Sequence, residues 1–323
     1  MPTLSTILAA APARDALAAL GRLLRRSGYR FATVTPATHR RVNARPGNAL
    51  ARDLRGVFGW SRPWLAGTLA PDVDALLRGA GLAAPCPGIP GAWRALVRAS
   101  TIGPQLYFHS AWPTDDDDAV FFGPDTWRYL AAMRRALDRL QRPVLRAVDV
   151  GAGSGAAAIE LALRRPRATV FGADINAAAL ALVEVNAALA GAAGVRPCRS
   201  DLLDGVDGGF DLVMSNPPYI LDADELPYRH GGGMHGAALS VRIVQQALAR
   251  LRPGGSLLLY TGAAIVDGAD PFLDAVRPLL DAACRDWSYE ELDPDVLGGQ
   301  LGCAGYEDVE RIAAVWLHAV RRP

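Results

Sequence analysis

Five consecutive residues, Ser215-Asn216-Pro217-Pro218-Tyr219, place a side-chain amide, two proline rings and an aromatic ring in one short run. An amide or exocyclic amine nitrogen is a poor nucleophile because its lone pair is delocalised. Chemistry on it requires that the nitrogen be rotated and held in line with an electrophile. The Asn216 side-chain oxygen and the Pro217 backbone carbonyl suit that task, since together they accept both N–H bonds and favour positive charge growing on nitrogen. Pro217 and Pro218 stiffen the run, and Tyr219 is expected to stack on the planar group. No strong base is required, because substitution at the nitrogen itself acidifies it.

A second run, Val148-Asp149-Val150-Gly151-Ala152-Gly153-Ser154-Gly155, ends an apolar stretch and opens a helical one. Its glycines permit a tight turn and let a ligand lie against backbone N–H groups at a helix N-terminus. Gly151-x-Gly153-x-x-Ala156 is a permissible variant of the dinucleotide fingerprint, and Asp174 falls where a ribose-binding acid belongs. These residues alone leave a nicotinamide cofactor open. A hydrolase elbow around Ser154 is excluded, because Ala152 and Ala156 stand where glycines are required and no Asp and His pair follows.

The elements that must carry these runs follow from periodicity. Strands are expected at 144–150, 168–174 and 210–215, alternating with helices at 155–163 and 177–189. A helix at 239–251 carries Leu239, Ile243, Ala247 and Leu251 on one stripe, stops at Pro253-Gly254-Gly255 and feeds a strand at 256–260. An antiparallel pair at 287–292 and 312–320 brings the strands read individually to six, and the fold class expected is a seven-strand, mostly parallel α/β sheet. The Asn-Pro-Pro-Tyr run then lies at the carboxyl end of the fourth strand, where open α/β folds put their chemistry.

Residues 1–113 differ in kind. Leu17, Leu20 and Leu24, then Leu50, Leu54, Val57 and Phe58, then Val73, Leu76 and Leu77 recur at helical spacing, with one short β-prone run at 106–108. The chain has no Lys, and this segment carries fourteen Arg against four Asp, so the remainder is acidic although the whole chain is only +1. Such asymmetry fits a basic, mainly helical unit that meets an anionic partner, or equally a solvated helical face. Asp115 to Asp118 mark the boundary, as self-repelling charge keeps a linker extended and wet.

Asn-Pro-Pro-Tyr after such a strand, downstream of a GxGxG loop and an acid like Asp174, resembles the class I S-adenosylmethionine-dependent methyltransferases that act on planar nitrogens. The resemblance covers roughly residues 119–323. Val213 to Ile220 followed by Gly231-Gly232-Gly233-Met234-His235-Gly236 is most similar to the release-factor glutamine N5-methyltransferases. The segment 121–126, Phe-Phe-Gly-Pro-Asp-Thr, departs from that family's Pro-Arg-Pro-Glu-Thr pattern, and residues 1–113 show no match to it.

The resemblance implies a Rossmann-like methyltransferase sheet preceded by a substrate-recruiting unit. S-adenosylmethionine would be held by Asp149, Gly151, Ala152, Gly153, Ser154, Gly155, Asp174, Asp201, Leu202 and Asn216, with Asp174 on the ribose hydroxyls and the Ser200-Asp201-Leu202 turn near the adenine. Asn216, Pro217, Pro218 and Tyr219 would form the catalytic run. The implied substrate is a glutamine-type amide of a protein, release-factor-like, with an exocyclic amine of an RNA or DNA base as the alternative. His230 and His235 are loop residues beside the glycine run.

Half of the residues are hydrophobic and about a fifth charged, which excludes a disordered or collagen-like chain. Cys86, Cys198, Cys284 and Cys303 are too scattered for a zinc site or disulfide framework. The Ala-rich start acquires Arg14 and Asp15 before any apolar run is long enough for a membrane and lacks a basic leader, so a cytoplasmic enzyme with no membrane partner and no metal is expected.

Overall fold

The computed structural model describes residues 3–323. Five helices open it: α1 (Leu4–Ala9), α2 (Ala11–Arg26), α3 (Pro36–Asn43), α4 (Leu54–Phe58) and α5 (Pro71–Gly79). Proline sits in the first turn of α2, α3 and α5, where its fixed φ suits the helix and its missing N–H loses no bond. The side chains of Thr3, Thr35 and Asp53 cap α1, α3 and α4 by accepting from the backbone N–H three residues on. The leucine stripe at 17, 20 and 24 is the buried face of α2, whereas Leu50 lies in the turn before α4.

This unit also contains two antiparallel hairpins. β1 (Ala83–Pro85) pairs with β2 (Trp93–Ala95), and β3 (Val97–Ile102) with β4 (Gln105–Ser110). The β-prone run at 106–108 is the visible half of the second hairpin. Its partner β3 is buried along its whole length, polar Arg98, Ser100 and Thr101 included, so its polar positions mark no solvent face.

The remaining elements are α6 (Pro124–Arg139), β5 (Arg146–Val150), α7 (Ala156–Arg164), β6 (Thr169–Asp174), α8 (Ala177–Ala190), β7 (Val195–Arg199), β8 (Phe210–Ser215), α9 (Ala238–Arg250), β9 (Leu251–Ile265), α10 (Pro271–Ala283), β10 (Cys284–Asp293) and β11 (Arg311–Arg321). They form the expected α/β sheet of seven strands in the order β7-β6-β5-β8-β9-β11-β10. All neighbours are parallel except β11, which runs against both β9 and β10. β7 escaped the sequence because Val-Arg-Pro-Cys-Arg buries only Val195 at the sheet edge. Strand order reverses at β5, flanked by β6 and β8, which opens a crevice at their carboxyl ends.

The two units share a core. Leu17, Leu20 and Leu24 of α2 and Phe108 of β4 pack in one cluster with Ala178, Ala179, Leu182, Val185 and Leu189 of α8. The connection between them is not the free linker expected from its charge. Asp115 to Asp117 are exposed, but an Asp118 carboxylate oxygen accepts the Ser5 N–H at 2.6 Å and its carbonyl accepts the Asn176 side-chain amide at 2.9 Å. Helix starts and side-chain amides thus outcompete charge repulsion at its last residue. Among the described residues no helix is long and apolar enough to cross a membrane, and no cluster of three or more His, Cys, Asp and Glu could hold a metal.

Candidate active site

On one side of the crevice the chain turns sharply from β5 into α7. Gly151, Gly153 and Gly155 all have positive φ, at 69°, 54° and 81°. A Cβ added at Gly151 would meet nothing within 4 Å, and one at Gly153 only Val120 at 3.9 Å, so conformation demands these glycines while the space above them is open. The turn is held from β6: the Gly151 and Ala152 N–H groups donate to the Ala173 carbonyl at 2.9 and 3.1 Å, and Gly153 N–H to Asp174 Oδ2 at 2.9 Å.

Asp174 Oδ1 accepts the Asn176 N–H at 2.9 Å. Burial pushes its carboxyl above the ordinary range, against the pull of the Asn176, Gly153 and Ile175 amides. Each oxygen retains a lone pair for a further donor. Beside it Ile175 is 55% exposed, and the Ser200 N–H reaches the Asp174 carbonyl at 3.1 Å, bringing the 200–202 turn alongside. Asp201 is exposed there, and Leu202 is buried with a φ of 48°. A carboxylate for a diol, a glycine turn with open space above it and an exposed apolar residue beside them form a set that fits a nucleoside bearing an amino-acid tail.

Asp149 does not join that set. It is only 2% exposed, accepts the Ala158 N–H at 3.1 Å and the Tyr129 hydroxyl at 3.4 Å, and anchors the first turn of α7 from beneath. Burial, with the nearby Asp174 charge adding, pushes its carboxyl up to about 7 against those two bonds. The structure thus places Asp149 beneath the turn, with each oxygen accepting one bond from inside the fold.

The other side begins where β8 ends. The Ser215 hydroxyl donates to the Val150 carbonyl at 2.7 Å, tying this end of β8 to β5 and setting the Asn-Pro-Pro-Tyr run beside the glycine turn. Asn216 is half-buried, and among the described residues no hydrogen bond engages its side-chain amide. Pro217 is buried and Pro218 half-buried.

Tyr219 sits differently from its expected stacking role. Its ring is buried against Gly262, where a Cβ would approach it to 2.2 Å, and its hydroxyl donates to Asp125 Oδ2 at 2.6 Å. Tyr260 donates to the other Asp125 oxygen at 2.9 Å, and Arg128 links Asp125 to Asp293 with two 3.0 Å contacts. Burial and the Asp125 charge raise both tyrosine hydroxyls above their usual range, so they stay neutral donors. Tyr219 acts as a strut: the apolar slot over Gly262 and a carboxylate acceptor outweigh exposure to an incoming group.

Beyond Tyr219 the chain folds back on itself. The Gly231 N–H donates to the Ile220 carbonyl at 2.8 Å, and the Gly236 carbonyl sits so close that no Cβ fits at Gly231. The Tyr306 hydroxyl accepts the Leu221 N–H at 2.7 Å and donates to the His235 carbonyl at 3.2 Å. Asp222, 4% exposed, pairs with Arg229; burial works to raise its carboxyl, but Arg229 and the Leu226 N–H hold it below the ordinary range. His230 bonds the Asp222 backbone, and His235 contacts Asp308 at 3.0 Å. Tyr228 donates to the Thr114 carbonyl at 2.6 Å and stacks on exposed Phe121.

Sequence reasoning missed Asp125, Tyr260, Tyr306 and Asn186. Only Asp125 carries a local signal, an acid following the proline that opens α6; the others become visible through their partners.

Residues 132–265 match a family model described as Methyltransferase small domain. The chain is 34% identical over 226 residues to a release factor glutamine methyltransferase of Bordetella pertussis, covering 64% of this chain and 78% of that protein. A release factor glutamine methyltransferase of Burkholderia pseudomallei is 33% identical over 248 residues, covering 71% and 82%. One from Deinococcus radiodurans is 35% identical over 196 residues, covering 57% of this chain and 66% of that protein, so the chain spans about two thirds of that relative.

Proposed function

The chain belongs to the release factor glutamine methyltransferase family and is an S-adenosylmethionine-dependent methyltransferase, and from that premise we propose that it methylates the side-chain amide nitrogen of a glutamine in a protein substrate of release-factor type. The observation that carries this reading is the Asn216 side-chain amide, half-buried and unengaged at the end of β8, next to the open turn at Gly151–Gly155. S-adenosylmethionine, when bound, supplies an electrophilic methyl on a sulfonium.

The chain's own residues do the rest. Asp174 would accept the ribose hydroxyls with its remaining lone pairs, the glycine turn would give the amino-acid tail open space over Gly151 and Gly153, and the 200–202 turn would lie at the adenine end. Asn216 Oδ1 and the Pro217 carbonyl accept the two N–H bonds of the target amide and turn its nitrogen toward the methyl. Both oxygens stabilise the positive charge that develops there, and the acidified proton then leaves to water. The Pro217-Pro218 pair and the Tyr219 strut keep the two acceptors in register. Residues 1–113, with their arginine surplus, recruit the macromolecule, and residues 119–323 carry out transfer.

The test is transfer of a radiolabelled methyl group from S-adenosylmethionine into a cell extract, fractionated into protein, RNA and small molecules. Label in protein, recovered on glutamine after digestion, is the expected result. Label confined to RNA would replace this reading with methylation of an exocyclic base amine.

A further inference from the structure

Asn186 lies on α8, is completely buried, and makes three side-chain hydrogen bonds. Its Oδ1 accepts the Phe108 N–H at 2.8 Å, while Nδ2 donates to the Phe108 carbonyl at 3.0 Å and to the Ser154 carbonyl at 2.9 Å. One side chain thus joins β4 of the N-terminal unit to the glycine turn. Ser154 is itself only 4% exposed and stands between two glycines of positive φ. Glycine-flanked backbone has wide freedom, so a buried donor on the Ser154 carbonyl restricts the whole turn.

A second tie runs in parallel. The Asp118 carbonyl accepts Asn176 Nδ2 at 2.9 Å, and the Asn176 N–H bonds Asp174 Oδ1 at 2.9 Å. Val120, two residues on, lies above Gly153.

We propose that Asn186 is a positioning residue for the cofactor: its bonds to Phe108 and Ser154 make the N-terminal hairpin part of the frame that sets Gly151–Gly155, and cofactor affinity depends on that tie. The proposal rests on reading this turn as the S-adenosylmethionine site. Coupling of this kind is reciprocal, so a ligand on the turn must also steady the hairpin.

Two full-length variants separate the tie from general packing. Asn186→Asp keeps an acceptor for the Phe108 N–H and loses the donor bonds to the Ser154 and Phe108 carbonyls. Gly21→Ala strains the same interface from α2, where a Cβ would come within 2.4 Å of Leu189 and 3.0 Å of the Phe108 ring, without touching the turn or the Phe108 backbone groups that bond Asn186. Both variants should lower the thermal midpoint. Calorimetry with S-adenosylhomocysteine should show about tenfold weaker binding for Asn186→Asp and unchanged affinity for Gly21→Ala. Equal affinities in both, or equal losses in both, would overturn the assignment.

Hydrogen exchange on the wild-type chain gives a readout that needs no variant to fold. S-adenosylhomocysteine should slow exchange of the Phe108 amide, and no change there counts against the coupling. A wild-type chain that does not bind S-adenosylhomocysteine at all would instead remove the cofactor reading itself.

Discussion

The two walls of the crevice are built by different means. The wall proposed for the cofactor, from Gly151 to Gly155 with Asp174, is held mainly by its own backbone N–H groups donating to the Ala173 carbonyl and the Asp174 carboxylate of the adjacent strand, and its left-handed positions are glycines. The substrate wall, from Asn216 to Gly236, hangs on side chains far away in the chain: Asp125 and Tyr260 for Tyr219, and Tyr306 and Gln300 for Leu221. Three non-glycine residues in it, Glu225, Met234 and His235, take positive φ near 50–58°, a conformation that costs energy unless its surroundings enforce it. On the proposed reading, the first wall is the socket for a ligand that never varies, and the second, whose geometry is set by long-range bonds, is the surface that recognises a particular macromolecule.

Asn216→Ala should sharpen the contrast most. Removing one oriented acceptor of developing charge is expected to lower turnover by about 10² to 10³-fold, by analogy with deletion of an oxyanion-hole donor. S-adenosylmethionine affinity, read by calorimetry, should stay within a few fold. Retained turnover would break the assignment of this wall to the chemistry.

The converse change is Asp174→Ala, expected to weaken S-adenosylmethionine binding by about 1.5 to 3 kcal/mol, the range for hydrogen bonds to a charged acceptor. Unaltered affinity would detach Asp174 from the socket. Asp125→Asn should cost less, about 1 to 2 kcal/mol in kcat/KM, because one tyrosine hydroxyl keeps a neutral acceptor and the other can turn to accept from the new amide N–H. Cofactor affinity should not move, since no hydrogen bond of Asp125 reaches the glycine turn; a drop there would mean that the two walls are mechanically one.

The smallest effect concerns what the socket stands on. The Asp149 carboxyl titrates at about 7 in the folded chain, and near 3.9 when unfolded. Between those values the folded state holds a proton that the unfolded state has lost, so stability falls as pH rises through that window and levels off above the folded value. The loss between pH 6 and pH 8 is about 1.4 kcal/mol. Denaturation series at the two pH values should show this slope in the wild type and a flatter one in the Asp149→Asn variant; identical slopes would exclude Asp149 as its source.

The sequence by itself determined the alternation of strand and helix, the glycine turn, Asp174, the Asn-Pro-Pro-Tyr run and the place of that run at the end of a sheet strand. Each of these is a local signal: apolar periodicity within one element, glycines where φ must be positive, an acid at a strand end. It missed β7, because an edge strand with one buried residue has no pattern to read, and it missed β3, because its short run includes Arg98, Ser100 and Thr101, polar residues that only the fold shows to be buried. Tertiary structure alone decided that Tyr219 is a strut, that Asp149 lies beneath the socket, and that the acidic stretch ends pinned at Asp118. Only the fold brings Asn186 to Phe108, 78 residues earlier, and Tyr260 to Asp125, 135 residues earlier. A side chain's partners at such separations are fixed by how α8, β4, α6 and β9 pack, and burial of their shared apolar faces is what obliges each enclosed polar group to find the acceptor or donor it has.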